Sequence, residues 1–242
     1  MVLAFKIKSI LYLDNILYDS IIKTAVSIVV IILAILFNNK YNKVNYIGLN
    51  LKKIRFRWRN IIVFIFPLLV VLVTFKIESL QLGSPGNILL IVIATSFAAS
   101  AEEFIFRFFA SNYLLNRGFA IRRAAIITSI FFGLAHITNM FEANAVSVIN
   151  QVILALLAGV VLFAAAFLFN SLFISMLLHS IVNIPSQLHI FLENENNGVE
   201  LLTLSKSLVT ILTTQLIFLP IYILAWVLFK RLNEYLLKNV YQ

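Results

Sequence analysis

Long apolar runs, each closed by a short polar or charged segment, set the rhythm of this chain. Residues 60–75 (NIIVFIFPLLVVLVTF), 151–169 and 207–229 each supply most or all of the roughly 17 to 25 apolar residues that a helix needs to cross a hydrocarbon core about 30 Å thick. The runs lack the short apolar–polar alternation of outer-membrane strands, so the predicted elements are helices. Seven spans are predicted, at about 20–38, 60–75, 87–116, 123–141, 147–169, 171–192 and 206–229. The fold class is therefore all-α, a polytopic transmembrane helical bundle. Residues 1–19 carry Lys6, Lys8, Asp14 and Asp19 among apolar positions and read as an N-terminal interfacial helix, not as a cleavable signal. With no internal repeat and no long linker, residues 1–242 are read as one integral-membrane domain.

Composition agrees with the pattern: 62% of the 242 residues are hydrophobic and only 12% are charged, against about 25% charged in an ordinary soluble domain. The bilayer is the first partner this implies. A net charge of +9 raises nucleic acid as another. The charges lie mainly in loops between spans, however, where the positive-inside rule accounts for them, so nucleic-acid binding is set aside. The loop 39–59 holds Lys40, Lys43, Lys52, Lys53, Arg55, Arg57 and Arg59 with no acid, which places it in the cytoplasm. That assignment carries Arg117, Arg122, Arg123, Lys230, Arg231 and Lys238 to the same side. Glu142 and the loop ENENNGVE (193–200) fall outside. Lys6, Lys8 and Lys23 do not follow the rule, and the side of the N-terminus stays open. The expected location is a bacterial plasma membrane, since the lysine, asparagine and isoleucine bias resembles that of low-GC bacteria.

The absence of cysteine removes disulfides, thiolate ligands and a cysteine nucleophile together. Any chemistry must rest on the few polar groups inside the spans, because a charge near mid-bilayer costs at least about 2.5 to 3.5 kcal/mol and normally faces the bundle interior. These are Glu102, Glu103, Arg107, His136, His179 and Asn183. Glu103 and Arg107 are four apart, acid first, the favourable order for an ion pair along one helical face. Glu102 is turned by about 100° and has no arginine at that spacing. The stretch SAEEFIFRFFA thus holds a mutually neutralising pair and one carboxylate left over, suited to a general base or to a metal ion. His136 follows Phe132 by one turn, and His179 and Asn183 share a face of the sixth span, where each needs a hydrogen-bond partner. Glu102 and His136 reach a common depth only if the third helix runs past Phe109 to about Asn116, with Gly118 as its stop. Asn170 and Ser171 read as a tight turn, Trp58 and Trp226 as interfacial aromatics, and His189 as an interfacial histidine.

In chain order, E-E-x-x-x-R (102–107), F-x-x-x-H (132–136) and H-x-x-x-N (179–183) on separate hydrophobic helices resemble the CPBP family of intramembrane proteases, the CAAX-protease and bacteriocin-processing group also called type II CAAX endopeptidase or Abi. The motifs lie in a core of about 87–192. The resemblance implies an intramembrane endopeptidase: Glu102 and His136 activate water, His179 and Asn183 stabilise the oxyanion, and Glu103, Arg107 and Phe132 support the site. It implies either a metalloprotease, with Zn2+ on Glu102, His136 and His179, or a metal-free glutamate mechanism; the residues are compatible with both. The expected substrate is a membrane-associated peptide or protein, such as a bacteriocin or pheromone precursor, in preference to a prenylated CAAX protein. Two other classes are weighed against this. One is a non-catalytic immunity or regulatory protein of the same fold. The other is a proton-coupled transporter, disfavoured by the lack of repeated halves.

Overall fold

The computed structural model describes residues 2–51, 54–74, 84–141, 144–193 and 204–239, without the side chains of 2–15, Arg59, Phe141, 189–193, 204–208 and 233–239. Its described residues are helices joined by turns and short extended segments, with no strand among them. Glu142, the loop 194–200 and the His189 side chain, each assigned an environment from sequence, lie outside the described set, as do Lys52 and Lys53.

The first helix differs from expectation. The interfacial segment and the first span are one helix, α1 (Val2–Tyr41). Nothing in the chain interrupts it, since residues 1–41 contain neither glycine nor proline. An extended segment at 54–57 then leads into a 3-10 turn (Trp58–Phe64) and α2 (Ile65–Thr74), with Pro67 in the first turn of α2. α3 starts at Pro85, with the Ser84 side chain accepting from the Asn87 N–H at 3.2 Å. It runs as α-helix to Glu103, widens into a π-helical stretch over Phe104–Ser111, and closes with an α turn at Asn112–Asn116. The long helix required by the depth argument is present, and Gly118 ends it with φ 81°. α4 (Ile121–Ala135) tightens into a 3-10 turn at His136–Phe141. α5 (Ala145–Phe169) and α6 (Leu172–Glu193) meet at Asn170, left-handed at φ 51° and ψ 42°, so the predicted turn is observed. α7 (Leu204–Ile217) and α8 (Leu219–Asn239) complete the described chain.

By length and composition, four helices can cross a membrane: Ile16–Tyr41, Pro85–Asn116, Ile121–Met140 and Ala145–Phe169. α7 and α8 make a fifth if taken as one span bent by 55° around Phe218, just before Pro220. The other two of the seven expected spans, Asn60–Thr74 and Leu172–Leu188, are apolar but shorter.

α5 occupies the centre of the bundle. Every residue from Val161 to Phe169 is buried, and the run Ala164–Ala166 lets neighbouring helices come close. α4 crosses it through small residues: a Cβ on Gly159 would stand 2.8 Å from the Ser129 Cβ, and one on Gly133 would stand 3.0 Å from the Val152 carbonyl oxygen. The end of α3 clamps the loop after α1 with two amides. Asn112 Oδ1 accepts from the Ile47 N–H at 3.0 Å and its Nδ2 donates to the Ile47 carbonyl at 3.1 Å; Asn116 repeats the pattern on Val44 at 3.1 and 2.7 Å. The loop is tied to the α5–α6 turn as well, because the Leu172 N–H donates to the Gly48 carbonyl at 3.0 Å. These bonds fix the length and depth at which α3 presents its charged residues to α6.

Candidate active site

Positions 175, 179 and 183 of α6 are four residues apart, so a serine, a histidine and an asparagine line one stripe of that helix, and α3 packs against α6. At the contact, Glu103 is fully buried. Its Oε1 lies 3.2 Å from Arg107 Nη1 and 3.0 Å from His179 Nδ1, and its Oε2 accepts from the Ser175 hydroxyl. A guanidinium at ion-pair distance, a hydroxyl donor and an imidazole nitrogen around one carboxyl group are surroundings that suit an ionised carboxylate, an acceptor at both oxygens. The predicted Glu103–Arg107 pair is therefore present, and Glu103 does more than brace its own helix: it binds α3 to α6.

Arg107, 1% exposed, reaches further. Its Nη2 donates to the Gly159 carbonyl at 3.4 Å, and its guanidinium carbon stands 4.2 Å from the centre of the Phe132 ring. The same ring meets His136 edge-on at 5.1 Å and His179 at 5.4 Å, which accounts for a phenylalanine at this position of the second motif: its face takes a cation and its surroundings take two imidazoles.

Glu102 contrasts with its neighbour. Its side chain is 37% exposed, yet its Oε2 is buried and has no hydrogen-bond partner. His179 Nε2 stands 3.8 Å from that oxygen. Asn183 Nδ2 stands 3.0 Å from the same nitrogen. The leftover carboxylate, His179 and Asn183 are thus brought together. His136 stands apart from them: its Nδ1 lies 2.9 Å from the Phe132 carbonyl oxygen one turn back, and among the described residues no hydrogen bond or ion pair joins it to Glu102. As placed, Glu102, His136 and His179 do not form a ligand set, and no group of three or more His, Asp or Glu among the described residues is arranged to hold a metal ion.

Two features went unread in the sequence. Ser175 was visible as the first member of S-x-x-x-H-x-x-x-N, one turn before His179, but a serine in an apolar helix usually bonds its own backbone and gives no signal by itself. The π stretch carries no composition cue at all. Its presence is marked by the Ser111 hydroxyl, which donates to the Phe106 carbonyl five residues back at 2.7 Å.

Residues 84–185 match the family described as type II CAAX prenyl endopeptidase Rce1-like. The match covers that segment alone, less than half of the chain. It contains all three motifs and the whole of the cluster just described, and the membrane-protease family agrees with the apolar helices in making this a membrane protein. No curated protein and no solved structure matches the chain.

Proposed function

We propose that the protein is an intramembrane endopeptidase that hydrolyses a peptide bond in a membrane-associated peptide or protein, with Glu102 as the base that activates water. The Rce1-like segment supports the reaction class. The observation that carries the assignment to Glu102 is the pairing of two adjacent glutamates with opposite surroundings. Glu103 is saturated by Arg107, His179 and Ser175, whereas Glu102 keeps an oxygen without a hydrogen bond 3.8 Å from His179 Nε2. A base must hold a lone pair within reach of the proton it takes, and only one of the two carboxylates has it to spare.

In this reading water attacks the scissile carbonyl, Glu102 receives its proton, and the charge developing on the carbonyl oxygen is met by polar groups of α6, of which Asn183 is one and His179 the other. His136 is assigned to the activation of the water with Glu102, as the family motif implies, through a movement of its side chain away from the Phe132 carbonyl. Arg107 and Phe132 hold Glu103 and the imidazoles in register. A zinc ion on Glu102, His136 and His179 would supply Lewis acidity and a more acidic water. No step here is routed through it, because those side chains do not converge as placed.

The substrate we favour is a peptide or protein in the same bilayer, such as a bacteriocin or pheromone precursor, and the membrane a bacterial plasma membrane with loop 39–59 in the cytoplasm. The test is cleavage in proteoliposomes of two internally quenched peptides, one farnesylated at a C-terminal cysteine and one held in the membrane by an apolar segment alone. Wild-type cleavage that Glu102→Gln abolishes supports the reading, and the peptide cut faster identifies the substrate class. If Glu102→Gln cleaves as fast as wild type, the assignment fails. Dialysis against a chelator separates the two chemistries: full activity afterwards selects the glutamate mechanism, and loss restored by Zn2+ selects the metal. A non-catalytic regulatory role is what remains if neither peptide is cut while the Glu102→Gln strain keeps the biological phenotype.

A further inference from the structure

A peptide segment cut at bilayer depth has to lie extended across the catalytic groups, and extended backbone presents N–H and C=O groups that lipid cannot bond. The protein must supply partners for them. An edge strand is the usual source, but no strand occurs among the described residues. Side chains are then the alternative, and the one that matches a peptide group is a primary amide, which carries an acceptor and donors together. One amide pair is placed for this task. His136 opens the 3-10 turn at the end of α4 (His136–Phe141), where residues three apart eclipse, so Asn139 stands over His136 about 6 Å further along. The Phe132 ring, 5.1 Å from the His136 ring and 5.4 Å from the His179 ring, keeps this turn beside the cluster. Asn139 Nδ2 donates to Gln151 Oε1 at 2.8 Å, and Gln151 lies six residues past Ala145, where the span of α5 begins. Asn139 is half-buried and Gln151 exposed. Their bond uses one hydrogen and one lone pair; among the described residues no hydrogen bond uses Asn139 Oδ1 or Gln151 Nε2. The neighbouring Asn150 is different. Its Oδ1 accepts from Gln215 Nε2 of α7 at 2.7 Å, and Gln215 Oε1 accepts from the Tyr222 hydroxyl of α8 at 2.5 Å, so that amide joins helices to one another.

We infer that Asn139 and Gln151 form a subsite for substrate backbone beside His136, with Asn139 Oδ1 accepting a substrate N–H and Gln151 Nε2 donating to a substrate carbonyl. The inference rests on the endopeptidase reading for the existence of a cut bond. It adds a requirement on the substrate. The 6 Å or so from His136 to Asn139 corresponds to about two extended residues at roughly 3.3 Å each, so the chain is unwound for at least that distance on one side of the cut. Contacts to main-chain atoms do not read side-chain identity; they read whether the backbone is free to bond. A segment with glycine or proline near the cut therefore fits the subsite, and a segment that stays helical through it, with its N–H and C=O groups already paired, does not.

The test uses the full-length protein in nanodiscs and the quenched peptide with the apolar anchor, made as a series in which one backbone amide at a time becomes an ester and so loses its N–H. Cleavage is followed with the wild-type protein. Binding of a fluorescent version is followed by anisotropy with the Glu102→Gln variant, which separates binding from turnover. One ester position, about two residues from the cut bond, should weaken binding and raise KM roughly three- to tenfold with kcat little changed. With Asn139→Leu the all-amide peptide should bind that weakly already, and the same ester should have no further effect. Gln151→Glu covers the case in which Asn139→Leu does not fold: an ionised carboxylate still accepts from Asn139 Nδ2 but has no hydrogen to donate. It should raise KM by a similar factor with thermal unfolding unchanged, and the uncharged Gln151→Met should raise KM as much. An ester series that binds uniformly, an absence of saturable binding, or folded Asn139→Leu and Gln151→Glu proteins with wild-type KM overturns the inference. Ester-sensitive binding by a protein that cuts no peptide keeps the subsite and removes the endopeptidase reading; cleavage with a flat ester series keeps that reading and removes the subsite.

Discussion

α3 meets α6 through a buried carboxylate and two partners, Ser175 and His179, whereas α4 meets α5 through the absence of side chain at Gly159 and Gly133. Both contacts hold two helices together inside one bundle, and they do so at different cost. In a bilayer, lipid tails compete with apolar side chains on equal terms, so helices associate by close packing or by polar bonds. Close packing yields a contact that is inert. A polar contact must satisfy the groups it buries, and a carboxylate oxygen left without a hydrogen bond, as at Glu102, keeps a lone pair for reaction. Arg107 joins the two regions: it pairs with Glu103 on one side and donates to the Gly159 carbonyl on the other, so the inert crossing fixes the place of the reactive one.

The sharpest way to separate the two contacts is Glu102→Gln. Removing a base should lower peptide cleavage by about 10²- to 10⁴-fold. Thermal unfolding in detergent should be unchanged within error, because the Oε2 atom makes no hydrogen bond in the fold. Next in size is Glu103→Leu, which strands the buried guanidinium of Arg107 and should cost about 3 to 5 kcal/mol in an unfolding titration. The double change Glu103→Leu with Arg107→Met removes both charges and should recover most of that loss. It should still be inactive, and a double variant that cleaves at the wild-type rate would show that the polar contact serves stability alone. On the inert side, Gly159→Val pushes a side chain against the backbone and side chain of Ser129 and should destabilise by about 1 to 3 kcal/mol. Because Arg107 leans on the Gly159 carbonyl, this variant should lower kcat as well, which tests whether the two regions are coupled. The smallest effect is expected at Ser129→Ala. The Ser129 hydroxyl is buried without a partner, so its removal should be neutral or stabilising, within about 0.5 to 1 kcal/mol in the same unfolding assay.

How much of this could be read beforehand depended on whether the controlling interaction was local. The Glu103–Arg107 pair, the odd status of Glu102, the stop at Gly118 and the turn at Asn170 all follow from spacings within a few residues, and each is found in the structure; the continuation of α3 to Asn116, also found, came from an argument about depth between helices. What depends on contacts between distant segments was not legible. The hydroxyl of Ser175 meets Glu103 across 72 positions of chain, and the clamp of Asn112 on Ile47 crosses 65. No periodicity encodes either. The fusion of 1–19 with the first span was missed for the opposite reason: charges at Lys6, Lys8, Asp14 and Asp19 suggested a break, while the backbone, lacking glycine and proline, had no cause to make one. His136 shows what motif spacing leaves open: one turn after Phe132, its Nδ1 lies 2.9 Å from the Phe132 carbonyl oxygen of its own helix, and the spacing alone assigns it no partner on another helix.

The widened turns of α3 have a consequence for how this helix tolerates change. Its front end is keyed to α6 by Glu103 and its rear end to the 44–47 loop by Asn112 and Asn116, and the π stretch lies between the two keys. A uniform α-helix would fix the angular offset between them at about 100° per residue; the slower winding of Phe104–Ser111 supplies a different offset. The stretch therefore acts as a phase corrector. Deleting one residue within it would restore regular winding and leave the two keys out of phase, so that either the acid finds its partners on α6 or the amides find theirs on the loop, but not both at once.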